Sequence, residues 1–130
     1  MVISKIKAVF QNDIKDVWNV VTSLNNYQWR SDLSRIEVIG DRQFIEYTKD
    51  GYATSFTITI TEPFERWEFD MENSNMKGHW TGVFSFQNGQ TEIEFTEDIT
   101  AKKLIMKPFV KSFLKRQQAL YVSDLRKALQ

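Results

Sequence analysis

Apolar and polar positions change their spacing three times along the chain. From Val2 to Phe10, Val2, Ile6 and Phe10 alternate with Lys5 and Lys7, the period of a half-buried strand. Asn12 or Asp13 can then cap a helix in which Ile14, Val17, Trp18 and Val21 recur at helical spacing. Asn25-Asn26 and the polar run Arg30-Ser31-Asp32 predict a second short helix or a turn carrying Leu24, Tyr27 and Trp29. The period then falls to two. Ile36 to Ile39 and Phe44 to Thr48 read as short strands separated by Gly40-Asp41. From Tyr52 to Thr61, Phe56, Ile58 and Ile60 face away from Ser55, Thr57, Thr59 and Thr61 until Pro63 interrupts. Trp67, Phe69 and Met71 likewise oppose Arg66, Glu68, Asp70 and Glu72. After Pro108, a residue suited to the first turn of a helix, the period is helical again. The apolar stripe there is Phe109, Phe113, Leu120 and Ala128, flanked by Val110, Leu114, Tyr121 and Leu125. A helix from Pro108 to Leu129 is about 33 Å long at 1.5 Å per residue, enough to cover a whole sheet.

Three turn signals fix how the strands pair. Asn88-Gly89 is a strong two-residue hairpin signal and sets Phe84 opposite Ile93, Gly82 opposite Phe95 and Trp80 opposite Glu97. A turn centred on Ser74-Asn75 sets Phe69 opposite Trp80 and Trp67 opposite Gly82. Both turns thus choose the same inward face, and a one-residue slip at either would mix aromatics with glutamates. Gly82 falls between Trp67 and Phe95, where a side chain would collide. Asp50-Gly51, read as a two-residue turn, places Tyr47 opposite Thr54 and Ile45 opposite Phe56.

Composition narrows the function classes. The chain has 130 residues, 42% hydrophobic and 14% aromatic, which suits one folded domain spanning 1–130 rather than a disordered segment. Apolar runs are short, so neither a transmembrane span nor a signal-peptide core is expected, and the cytoplasm is the default location. The absence of cysteine excludes disulfides, thiolate metal sites and a cysteine nucleophile. Formal net charge is +0, but its distribution is uneven: beyond Lys102 the only acid is Asp124. No Gly-rich phosphate loop, P-loop or serine nucleophile elbow is present.

The order strand, two short helices, six antiparallel strands and a long terminal helix is that of the helix-grip fold. Asn12-Asp13-Ile14-Lys15-Asp16-Val17-Trp18, Asn26-Tyr27-Gln28-Trp29-Arg30-Ser31-Asp32, Gly78-His79-Trp80-Thr81-Gly82 and the terminal helix resemble the START-like, polyketide cyclase/dehydrase (SRPBCC, Bet v 1-like) superfamily. The resemblance covers nearly the whole chain. It implies an α+β domain whose curved seven-stranded antiparallel sheet wraps around the C-terminal helix and leaves a deep cavity between them. It further implies a hydrophobic ligand of lipid, polyketide or aromatic type, and in some members cyclisation, dehydration or hydrolysis. No catalytic signature is present to transfer.

The candidate site follows from the inward face. Trp29, Phe56, Trp67, Phe69, Trp80, Phe84, Phe95 and Phe113 could all be ordinary core, as such stripes usually are, but a long helix gripping a curved sheet favours their lining a cavity, with Tyr47 joining Glu97 and Gln117 in orienting the ligand. Glu97 shares a face with Ile93, Phe95 and Ile99. In an apolar cavity its charged form is disfavoured, making it the one candidate acid or base near neutral pH. The alternative is a carboxylate at the cavity mouth, bonded to the Trp80 indole or paired with a cation. Gln117 interrupts the helix stripe and either anchors a ligand or marks the stripe's margin. His79, the only histidine, falls on the outer face opposite Asp70, a surface pair. One histidine without cysteine leaves no basis for a metal centre, and no cofactor is expected. Lys103, Lys107, Lys111 and Lys115 recur every four residues, either a docking stripe for an acidic partner or a solvated face. No aromatics alternate with them, so no nucleic-acid binding is expected. Monomer and homodimer are both open. The leading expectation is binding or carriage of a hydrophobic small molecule. Two others accompany it: a cyclase- or dehydratase-type enzyme using Glu97, and an interaction module using the basic helix face.

Overall fold

The computed structural model describes residues 1–130. Strand β1 (Val2–Phe10) leads into helix α1 (Ile14–Thr22), whose N-cap Asp13 accepts a 2.8 Å hydrogen bond from the Lys15 backbone N–H. Six further strands follow: β2 (Leu33–Val38), β3 (Gln43–Thr48), β4 (Ala53–Glu62), β5 (Arg66–Glu72), β6 (Met76–Gln87) and β7 (Gln90–Ala101). A single 3-10 turn at Leu104–Met106 starts the long helix α2 (Lys107–Ala128). All seven strands form one antiparallel sheet in the order β1-β7-β6-β5-β4-β3-β2, so β1 and β2 are its edges. The fold is α+β, as expected. The second short helix is not formed: residues 23–32 run as turns, pinned to α2 by Ser31, whose N–H and hydroxyl each donate to Asp124 at 2.8 Å. With so many polar residues in this stretch, side-chain hydrogen bonds replace a helical ladder.

Two of the three turns set the register anticipated. Asn88 and Gly89 both take positive φ (56° and 76°), and Trp80 faces Glu97, Gly82 faces Phe95 and Phe84 faces Ile93. The Asn73–Met76 turn sets Trp67 opposite Gly82 and Phe69 opposite Trp80. The third differs. Thr48 N–H donates to Tyr52 O at 2.9 Å, closing a three-residue loop in which Gly51 has φ 83°. Tyr47 therefore pairs with Ala53, Glu46 with Thr54 and Phe44 with Phe56, one residue from the expected register. That single step turns Glu46 inward and Tyr47 outward. A bulge at Ile58/Ile60 likewise moves Ile60 opposite Glu68, on the outer face.

Helix α2 lies across the inner face, but rotated from its anticipated stripe. Its buried residues are Val110, Leu114, Gln118, Val122, Asp124 and Leu125, whereas Phe109, Phe113 and Leu120 keep 62, 39 and 38% exposure. Gln118 supplies the reason. Its amide accepts from Ser4 Oγ at 2.8 Å and donates to Ser4 O at 2.9 Å, clamping the helix to β1 on the adjacent face. Lys111 and Lys115 donate to the carbonyls of Ile3 and Lys5, and Arg126 donates to Val9 O at 2.9 Å. These cations cover the free carbonyls of an edge strand. The regular lysine stripe is thus divided, with half of it engaged by the fold.

Candidate functional site

One end of the inner face is solid. Val17, Trp18, Phe84, Ile93 and Phe95 are buried there; Trp18 meets Phe84 edge-on at 4.9 Å, and Phe84 meets Phe95 at 6.1 Å. The other end is hollow. Between the sheet, the 23–33 segment and the first half of α2 lies a cavity of about 580 Å³, lined mainly by apolar side chains. Its wall is an aromatic lattice. Phe69 stacks on Trp80 at 4.8 Å, Phe44 stacks on Phe56 at 4.8 Å, and Trp67 meets Trp80 edge-on at 5.9 Å. Gly82 makes room for this lattice: a Cβ there would lie 2.5 Å from the Trp80 ring and 3.3 Å from Phe95. The Trp80 ring, rather than Trp67, is what the glycine admits.

Of the residues singled out from sequence, Trp29, Phe56, Trp67, Phe69, Trp80, Glu97, Phe113 and Gln117 come together on this cavity. Three do not. Phe84 and Phe95 belong to the solid end, where α1 and the second half of α2 cover them. Tyr47 is on the outer face, under the Arg35 guanidinium at 3.9 Å, with its hydroxyl donating to Glu37 at 3.0 Å.

Sequence reasoning missed the polar end of the cavity. Arg30 donates twice to Asp32, both bonds 3.1 Å, and lies 3.5 Å from Glu46. Its guanidinium also sits 4.8 Å over the Tyr121 ring. Burial opposes the Arg30 charge, but Glu46, Tyr121 and Asp32 outweigh it and keep the group firmly protonated. Burial raises the Glu46 carboxyl, with Arg30 pulling against it. Tyr121 is raised as well, by burial first. Glu97 faces the same space from β7. Burial pushes its carboxyl up to about 7, against the opposing influence of Gln118 and Arg30, while Glu46 adds to the rise. It has no ion-pair partner, unlike the carboxylates that hold Arg30. Glu46 was legible only if the Asp50-Gly51 loop had been counted as three residues. Arg30 had no local signal, because a charge is buried there only once Glu46 points inward.

The outer face carries a second polar cluster. His79 Nδ1 is 2.7 Å from Asp70 Oδ1 and Nε2 is 2.6 Å from Glu68 Oε1, and Arg66 donates to Glu68 at 2.9 Å. No three histidine or carboxylate side chains anywhere converge as a metal ion requires. No helix is long and apolar enough to cross a membrane.

This architecture is shared with solved structures. A START superfamily protein from Mycobacterium smegmatis superposes with a TM-score of 0.85 at 11% identity, covering 98% of this chain and 96% of that one. A conserved protein from Geobacillus kaustophilus gives 0.84 at 10% identity, with 98% and 95% covered. DynU16, a putative protein in the dynemicin biosynthetic locus, gives 0.80 at 12% identity, with 98% of this chain matching 46% of that longer one. No family model matches the sequence, and no curated protein is similar to it. The chain therefore has a START-like helix-grip fold, a likeness of architecture at identities too low to transfer chemistry.

Proposed function

We propose that this protein binds a hydrophobic small molecule between its sheet and the first half of α2. A cavity of about 580 Å³ with mainly apolar walls and a few polar groups gathered at one end supports this reading. Its volume lies within the range of roughly 300–1,000 Å³ usual for small-molecule sites. Trp67, Phe69, Trp80 and Phe113 supply apolar contact, while Glu97 and Gln117 orient the polar end. The START-like fold of the neighbouring structures agrees with such a role. Carriage in the cytoplasm, with no cofactor and as one domain, is the form of the function proposed here.

The neutral probe N-phenyl-1-naphthylamine tests it. A saturable one-to-one rise in fluorescence is expected, weakened by Ile36→Trp, which narrows the cavity from its lining. A rise that never saturates, or one that Ile36→Trp leaves unchanged, contradicts the reading.

Glu97 supports a second reading, acid–base catalysis on a bound polyketide-like or other aromatic substrate. A carboxyl near 7 inside a cavity can both give and take a proton at neutral pH. A Glu97→Gln protein that binds such a compound but loses turnover is the expected result. Unchanged turnover removes Glu97 from any chemistry.

A further inference from the structure

The balance of charge inside the cavity limits what the polar end of a guest can be. The charged residues lining it are Arg30, Asp32, Glu46, Asp50, Glu97 and Arg116, acids outnumbering bases. Arg116 is exposed on α2. Arg30 is the cation of the buried polar end, and it is already spent: two bonds bind it to Asp32 and an ion pair to Glu46. A carboxylate guest arriving there would find no free guanidinium and would face Glu46 and Glu97. An ammonium guest would face the positive charge of Arg30 itself. What the buried end offers instead is acceptor capacity, because Glu97 is bound to no cation and faces the open space, with the Gln117 amide also on the lining.

We propose that the cavity selects ligands whose polar end is an uncharged hydrogen-bond donor, a hydroxyl above all, and rejects carboxylates. The proposal rests on the ligand-binding reading and names the ligand class for that same site. Satisfying a buried acceptor with a neutral donor leaves no uncompensated charge, whereas a third anion beside two carboxylates is repelled in a poorly screened space. The preference depends on pH. As Glu97 takes up its proton below about 7 it becomes a donor and loses a charge, so carboxylates become less disfavoured. The other titratable groups on the lining are Arg30, Asp32, Glu46 and Tyr121 at the buried end, with Tyr27, Asp50, Tyr52 and Arg116 elsewhere on the wall. Arg30 and Tyr121 keep their protons at pH 6 to 8, and the upward shift of Glu46 acts in the same direction as that of Glu97.

Isothermal titration with a matched pair, 2-naphthalenemethanol and 2-naphthoate, decides the matter. At pH 8 the alcohol is expected to bind at least about ten-fold more tightly, which is about 1.4 kcal/mol. The gap narrows at pH 6. Glu97→Gln narrows it at pH 8, and Glu46→Gln does so by a separate route, releasing Arg30 for the carboxylate. Equal or tighter binding of 2-naphthoate by the wild-type protein at pH 8 overturns the selection while leaving the ligand-binding reading intact. If neither compound binds, that reading fails and the selection falls with it. The wild-type comparison stands whether or not either variant folds.

Discussion

The sheet carries a polar cluster on each face, and the two behave in opposite ways. On the outside, His79 sits between Asp70 and Glu68, with Arg66 completing the set. Burial weighs against the charge of both His79 and Glu68, yet their mutual bonds win: the histidine is raised and the glutamate lowered, so each stabilises the other's charge. On the inside, Arg30, Asp32, Glu46 and Glu97 lie between aromatic walls. Burial there dominates the carboxyls and raises both glutamates. Similar residue types thus yield a self-neutralising surface network on one face and a desolvated, proton-holding group on the other. The difference is solvent and stoichiometry. Outside, cation meets anion in water; inside, one guanidinium is shared and Glu97 is left over.

The largest effect should come from breaking the inner cluster. Arg30→Met leaves Asp32 and Glu46 buried without their cation, a loss of about 3–5 kcal/mol in urea unfolding at pH 7.5. The deficit should shrink as pH falls, because burial has already raised the Glu46 carboxyl. A deficit that does not change with pH would mean Arg30 acts through packing on Tyr121 alone.

Glu97→Gln sharpens the contrast next. Because the folded carboxyl titrates near 7 instead of 4.5, the native state holds a proton that the unfolded chain has released between those values. Wild-type stability must therefore fall as pH rises through that window. The variant should lose this slope and be about 2 kcal/mol more stable than wild type at pH 8, a fraction of the full linkage because the group faces an open cavity. Equal stability of the two proteins at pH 8 would place Glu97 in bulk water.

The smallest effect belongs to the outer cluster. His79→Ala should cost at most about 1 kcal/mol, and less in high salt. Its histidine is raised, so this contribution is complete below about 6.5 and fades as pH rises through the folded value. Glu68 is lowered, so its share is present above 4.5 and is lost as pH falls. The stability lost should therefore shrink with rising pH for His79→Ala and with falling pH for Glu68→Gln. Losses independent of pH would mean that the outer pair does not stabilise its own charges.

How far the sequence foretold this contrast depends on where each element takes its orders from. Register at the Asn88-Gly89 and Asn73–Met76 turns was legible, because local turn chemistry and the aromatic alternation demand the same pairing. His79 opposite Asp70 followed from it. At Asp50-Gly51 the turn residues fit two loop lengths, and the extra residue exchanged Tyr47 for Glu46 at the inner face. The orientation of α2 depended on Gln118 meeting Ser4, two polar residues 114 positions apart, which no apolar stripe encodes. Phe84 and Phe95 were indistinguishable from Trp67 and Phe69 by spacing. What separates them is the covering layer: α1 and the second half of α2 fill the space above one pair, and the cavity opens above the other.

The tryptophans allow the central claim to be measured within one molecule. Trp29, Trp67 and Trp80 line the cavity, whereas Trp18 lies in the solid end. In a titration with 2-naphthalenemethanol followed by nuclear magnetic resonance, the three lining indole N–H signals should shift together and saturate, while that of Trp18 stays in place. Four unmoved signals, or a shift confined to Trp18, would contradict a guest held between the sheet and the last helix.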